Sequence, residues 1–162
     1  MTGGFDPLDP WNAEFWLRLG TSVLCGGIIG LERQLRGKAA GIRTSILICL
    51  GTQLFVTLGS SFAGERVDPT RVLAQVVTGI GFLGGGVILA REGLIIGVTS
   101  AAVIWVLAAL GSLIGLGHLL ASVVLTLITV GLLIGVEFLE SIFRRLRDGA
   151  TERELDRIDL QD

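Results

Sequence analysis

Residues 79–86 read GIGFLGGG, and Gly79, Gly81 and Gly84 stand in the GxGxxG spacing that lets a backbone approach a dinucleotide pyrophosphate. That chemistry needs a strand before the glycines, a helix after them and an acid about 20 residues further on for the ribose hydroxyl. The window from Val98 to Trp105 holds no acid, and VLAQVV, the glycines and VILA join into one apolar stretch of membrane-crossing length. The spacing by itself is a weak signal, and its surroundings point away from a nucleotide.

A second kind of chemistry lies in polar groups beside apolar runs, because ionisable side chains near lipid are unfavourable unless paired or functional. The densest set is GLERQLRGKAAGIRT, residues 30–44. Glu32 and Arg36 are four apart, the better orientation for a helical ion pair, with Arg33 beside them. Arg43 opens the next apolar run next to Thr44. Anchoring at an inner surface explains the Lys and Arg, but it does not require Glu32, Gln34 or Thr44. Farther on, Asp68 precedes Pro69 and can cap a helix, with Arg71 and Gln75 on one face beneath it. Gln53, Gln75, Thr78 and Thr99 could line a cavity for a small solute. Glu32, Asp68 and Glu92 offer carboxylates of the kind magnesium prefers, yet the middle of every apolar run lacks an acid, so no metal ligand set is assigned. Cys25 and Cys49 fall inside apolar runs and read as small buried residues. No nucleophile has a base beside it, so neither an enzyme nor a cofactor is expected.

The elements that must position these groups belong to a membrane protein. The chain of 162 residues is 51% hydrophobic and 17% charged, with a mean hydropathy of +0.73. From Gly93 to Val136 no Asp, Glu, Lys or Arg appears, about twice the roughly 20 residues one helix needs to cross. Five spans are expected, at about 14–31, 44–63, 72–90, 98–116 and 118–137, the last two joined by a turn at Gly115, Gly117 and His118. The fold class is all-α and polytopic: a transmembrane domain over 1–138 and a short amphipathic, charged tail over 139–162. Lys and Arg accumulate in the first loop, at Arg91 and in the tail, which predicts the N-terminus outside and the C-terminus in the cytosol. Trp11 and Trp16 suit an outer aromatic belt, whereas Trp105 lies too deep for one. The opening MTGGFDPLDP has no basic residue to start a signal peptide, and Asp9 with Pro10 is a plausible helix start. Leu139, Ile142, Phe143 and Leu146 continue the last helix along the inner surface, and Thr151 with Glu154 could cap one more short turn.

In lipid, helices associate by close backbone approach, so small residues four apart mark contact faces. Gly26 and Gly30, Gly81 and Gly85, Gly111 and Gly115, and Gly131 and Gly135 have that spacing, and Gly79, Gly84 and Gly86 add further small positions. Packing within the chain and a seam between two copies are both open readings, and a homo-oligomer, with a dimer favoured, is expected. Partners are the lipid bilayer and other membrane proteins rather than nucleic acid.

The blocks IGLERQLRGKAAGIRT, DPTRVLAQVVTGIGFLGGGVILAREG and GVTSAAVIWVLAALGSLIGLG closely resemble the MgtC/SapB family of bacterial inner-membrane proteins, over about residues 14–137. The resemblance implies a five-span domain, a link to magnesium limitation and to survival inside host cells, and binding and inhibition of the membrane ATP synthase. It also marks Glu32, Arg33, Gly41, Arg43, Thr44, Gln75, Gly79, Gly81, Phe82, Gly84, Gly86, Thr99 and Trp105. GVTSAAV stands where magnesium-linked members typically have GLNTAAT, Val106 stands where they have Cys, and no counterpart of their soluble C-terminal domain is expected. This chain therefore looks like the shorter, SapB-like branch. The function expected is regulation through helix contacts, linked to magnesium homeostasis or stress adaptation, with transport of Mg²⁺, another ion or a small solute as the alternative.

Overall fold

The structure is a computed structural model, which describes the backbone of residues 7–61, 70–91 and 94–159 and the side chains of 7–61, 70–90 and 94–139. The described elements are α1 (Ala13–Leu35), α2 (Ile42–Ser61), α3 (Thr70–Gly85), β1 (Leu89–Arg91), β2 (Leu94–Ile96), α4 (Val98–Gly115) and α5 (Leu119–Asp159). Four helical segments are long and apolar enough to cross a bilayer: α1, α2, α4 and Leu119–Leu139 of α5. With 16 residues, α3 spans about 24 Å at ~1.5 Å per residue, short of the ~30 Å hydrocarbon core.

The chain divides into two compact units, one ending at Leu127 and the other beginning at Ile128. In the first, α1 and α4 both pack on α2, and α3 packs on α4. Cys25 and Ile29 of α1, Cys49 of α2, and Ile104, Leu107 and Ile114 of α4 are among its fully buried residues. Glycine makes this packing possible. A Cβ added to Gly26 would stand 2.7 Å from the Ile46 Cα, and one added to Gly30 would stand 2.6 Å from the Ile42 Cα. Across the other side of α2, a Cβ on Gly111 would lie 2.6 Å from the Cys49 carbonyl oxygen, and one on Gly115 would lie 2.8 Å from the Val56 Cβ. The Cys49 thiol also donates to the Leu107 carbonyl at 3.3 Å. Backbone-to-backbone approach of this kind replaces the hydrophobic force that helices lack in lipid.

Two of the turns follow from glycine's access to the left-handed region. Gly37 (φ 62) and Gly117 (φ 89) end α1 and α4 in the same way, with the following amide reaching back. Lys38 N–H donates to the Arg33 carbonyl and His118 N–H to the Leu113 carbonyl, both at 2.9 Å, satisfying acceptors that the helix ends leave free.

The structure corrects three local expectations. The cap of α1 is Asn12, whose side chain accepts from the Glu14 amide, while Asp9 forms a turn by accepting from Trp11 N–H. The third apolar run is not one helix from 72 to 90: α3 ends at Gly85, and an antiparallel hairpin follows, with Leu89 opposite Ile96 and Arg91 opposite Leu94. Consecutive glycines end the helix there, and the branched and apolar residues after them suit a strand. At the C-terminal end, α5 runs on to Asp159 without a fresh start at Thr151.

Candidate functional site

Three groups of side chains stand out in the first unit. At the C-terminal end of α1, Glu32 accepts from Arg33 at 2.5 and 2.8 Å and pairs with Arg36 at 2.7 Å. Glu32 is 7% and Arg33 3% exposed. Three charges on two helical turns neutralise one another only in part, leaving a net positive cluster whose carboxylate is fully committed. The four-residue spacing of Glu32 and Arg36 is thus realised as an ion pair.

At the opposite end of α1, Arg18 is 8% exposed. It pairs with Glu14, and its Nη1 donates to the Gly115 carbonyl at 2.5 Å and to the Thr57 hydroxyl at 3.4 Å. Thr57 in turn accepts from the Gln53 amide at 3.2 Å and donates to the same Gly115 carbonyl at 3.3 Å. A cation buried in a span therefore closes the C-terminal, negative end of α4. Arg18 has no place among the groups expected from the sequence. Its signal was an arginine one turn after Glu14 inside an otherwise apolar run.

The third group is a groove between α2 and α3. The two helices meet where a Cβ on Gly59 would collide with the Val72 side chain. Farther along, Gly51 and Gly79 have nothing within 4 Å. The space between is an apolar groove of about 790 Å³ running from Thr44 and Leu83 at one end to Gly59 and Val72 at the other. Its polar positions are Thr44, Thr52 and Gln75. The hydroxyl of Ser45, not that of Thr44, takes the Ala40 carbonyl at 2.8 Å, so Thr44 and Gln75 face the groove without a hydrogen-bond partner among the described residues.

At 100° per residue α3 has three faces. Val72, Gln75, Val76, Gly79 and Leu83 line the groove. Ile80 and Gly84 are buried, Gly84 lying on Ala101 of α4. Ala74, Thr78, Gly81 and Gly85 form the third face; all four are exposed, and Gly81 and Gly85 have nothing within 4 Å. Phe82 beside them is 83% exposed. Gly86 approaches only the carbonyls of its own turn, and Gly131 and Gly135, in the second unit, also have nothing within 4 Å.

The remaining sequence candidates scatter. Arg43 is exposed at the start of α2, Arg71 near the start of α3, and Thr99 and Trp105 on α4. Asp68 and Glu92 lie outside the described residues. Gln53, Gln75, Thr78 and Thr99 do not share a cavity: Gln53 is buried beside Thr57, Gln75 lines the groove, the Thr78 hydroxyl is turned back on the Ala74 carbonyl, and Thr99 is exposed. Among the described residues no three of His, Cys, Asp and Glu gather as metal ligands would.

The model of the MgtC family matches residues 19–142. The chain belongs to the MgtC family. Its relatives include a protein of Escherichia coli K12 named "Putative magnesium transporter YhiD", 48% identical over 113 residues, which are 65% of this chain and 53% of the relative. "Protein MgtC" of Brucella abortus is 42% identical over 136 residues, 82% of this chain and 56% of the relative. "Protein MgtC" of Salmonella typhimurium is 42% identical over 113 residues, 69% of this chain and 48% of the relative. The chain thus spans about half the length of the curated relatives it matches. No solved structure matches it. Family membership and the apolar helices together make this MgtC-family chain a multi-pass protein of the bacterial inner membrane.

Proposed function

We propose that this MgtC-family chain is a non-enzymatic regulator linked to magnesium homeostasis or stress adaptation, acting through contacts between membrane helices. The observation that carries this reading is the fate of the glycine pairs. Gly26 with Gly30 and Gly111 with Gly115 are used up against α2, whereas Gly81 with Gly85 is open on the outward face of α3. A small-residue face with nothing on it is suited to close approach by another helix, from a second copy or from a different membrane protein. The resemblance to the MgtC/SapB family supplies the membrane ATP synthase as one candidate for the latter. In this reading α3 completes a fifth crossing with the residues after Gly85, the N-terminus is outside, and the Thr44 end of the groove faces the cytosol, where Lys and Arg accumulate.

The test is association in native membranes by cross-linking and native electrophoresis. Gly81→Leu and Gly85→Leu are expected to abolish complexes that Gly20→Leu, at an open position of α1, leaves intact. Equal association of all three variants would remove the basis for the reading. Transport is the second reading, favoured by the name of the Escherichia coli relative and by Thr44, Thr52 and Gln75 spaced along one groove. Mg²⁺ flux into liposomes that disappears in Gln75→Leu would reverse the ranking.

A further inference from the structure

The groove between α2 and α3 differs from the outward face of α3 in shape and in its surroundings. Along α2 it runs from Thr44 to Gly59, about 22 Å at ~1.5 Å per residue. It is closed at the far end by the contact of Gly59 with Val72. A transmembrane helix, ~10–12 Å across, would have to pass that closure to lie along the groove. A flexible apolar chain that enters at Thr44 and stops partway does not. One leaflet's share of the hydrocarbon core is about 15 Å, which places the end of such a chain near Phe55 on α2. The volume of about 790 Å³ lies in the range of sites for small molecules.

The chemistry at the open end selects the head of that amphiphile. Arg43 directly precedes Thr44, and Lys38 lies in the turn between α1 and α2; both are exposed and have no ion-pair partner among the described residues. The first turn of α2 carries no acid to oppose an anion. The Thr44 hydroxyl lacks a partner there too, because Ser45 has taken the Ala40 carbonyl. Two free cations near the start of α2 and a free hydroxyl at the mouth of the apolar trench complement a phosphate attached to an acyl chain. We propose that the α2/α3 groove seats an acyl chain of an anionic phospholipid from the leaflet at the Thr44 end, with its phosphate held by Arg43, Lys38 and Thr44. The site is independent of the outward face of α3, so loss of helix association and loss of lipid are separate outcomes.

The experiment is native mass spectrometry of the full chain, purified from bacterial membranes and exchanged against phosphatidylglycerol or phosphatidylcholine. One phospholipid per chain is expected to be retained, with phosphatidylglycerol favoured about tenfold or more, the worth of two basic residues near an anionic head. Gly79→Leu fills the groove and is expected to lose the lipid. Arg43→Ala with Lys38→Ala is expected to keep a lipid but lose the preference. Because Gly79→Leu could disturb folding, Phe55→Trp gives a second readout: brominated phosphatidylglycerol should quench its added fluorescence at several-fold lower mole fraction than brominated phosphatidylcholine. Equal retention of the two lipids, equal quenching, full retention by Gly79→Leu, or a cross-link from Phe55→Cys to a second copy filling the groove would each overturn the proposal.

Discussion

Replacing Gly30 with alanine tests the packing account directly. The new methyl would stand 2.6 Å from the Ile42 Cα, 2.9 Å from the Ser45 Cβ and 3.0 Å from the Ile42 amide nitrogen. Carbon atoms pack best at about 3.5–4.0 Å, so α1 and α2 must part by roughly 1 Å. Two of the three neighbours are backbone atoms of a helix and cannot rotate aside. Overpacking of this kind costs about 1–3 kcal/mol. Gly20, on the same helix, has nothing within 4 Å, and alanine there should gain about 0.5–1 kcal/mol by restricting the unfolded chain. The two substitutions are chemically identical, yet their effects should differ in sign and by about 1.5–4 kcal/mol in total. Unfolding of the purified chain in mixed micelles, titrated with dodecyl sulfate and followed by circular dichroism, measures both. Adding Gly26→Ala to Gly30→Ala should cost less than the sum, since the first methyl already separates the helices. If Gly30→Ala matches or exceeds Gly20→Ala in stability, the close approach of α1 to α2 is refuted.

The charged groups give further expectations. Arg18→Ala removes the charged donor from the Gly115 carbonyl and should destabilise by about 1.5–3 kcal/mol in the same titration, whereas Arg71→Ala, exposed on α3, should change stability little. Glu32→Gln leaves Arg33 and Arg36 facing each other without a counter-charge and should destabilise by about 3–5 kcal/mol, measured by the same unfolding curve. Gly97→Ala places a Cβ against the Val87 carbonyl at a residue whose φ is 91°, so the β1–β2 hairpin should open, seen as faster amide exchange at Leu89 and Ile96.

Much of the fold was legible because length and apolar content alone identify a membrane helix. The expected spans 14–31, 44–63 and 98–116 became α1, α2 and α4 with shifts of a few residues. The third span was misjudged at its end: GGGVILA is apolar throughout, and hydropathy does not distinguish a helix continuing from Gly85 from a strand that pairs Leu89 with Ile96. The start of α1 was missed because Asp9–Pro10 and Asn12 are equally good capping signals in a sequence, and only the backbone decides between them. The glycine pairs illustrate a deeper limit. All four have the same spacing, but whether a pair is consumed inside the chain depends on which helix lies opposite. The pair Glu32 and Arg36 was readable because both residues sit on one helix. The partnership of Arg18 with Gly115, and the groove joining Thr44 to Gln75, bring together residues far apart in the chain, and no local pattern announces them.

The central claim is that α3 turns an open face of small residues outward to meet another helix. Thr78, exposed in the middle of that face, is the place to ask, because Cys25 and Cys49 are fully buried and compete little for a reagent. Thr78→Cys in native membranes, treated with a short bifunctional thiol reagent, is predicted to yield a discrete higher-mass adduct, while Leu132→Cys, exposed on α5 on a face of large apolar residues, yields none. Absence of any adduct at Thr78→Cys, or the same adducts at both positions, would contradict the claim.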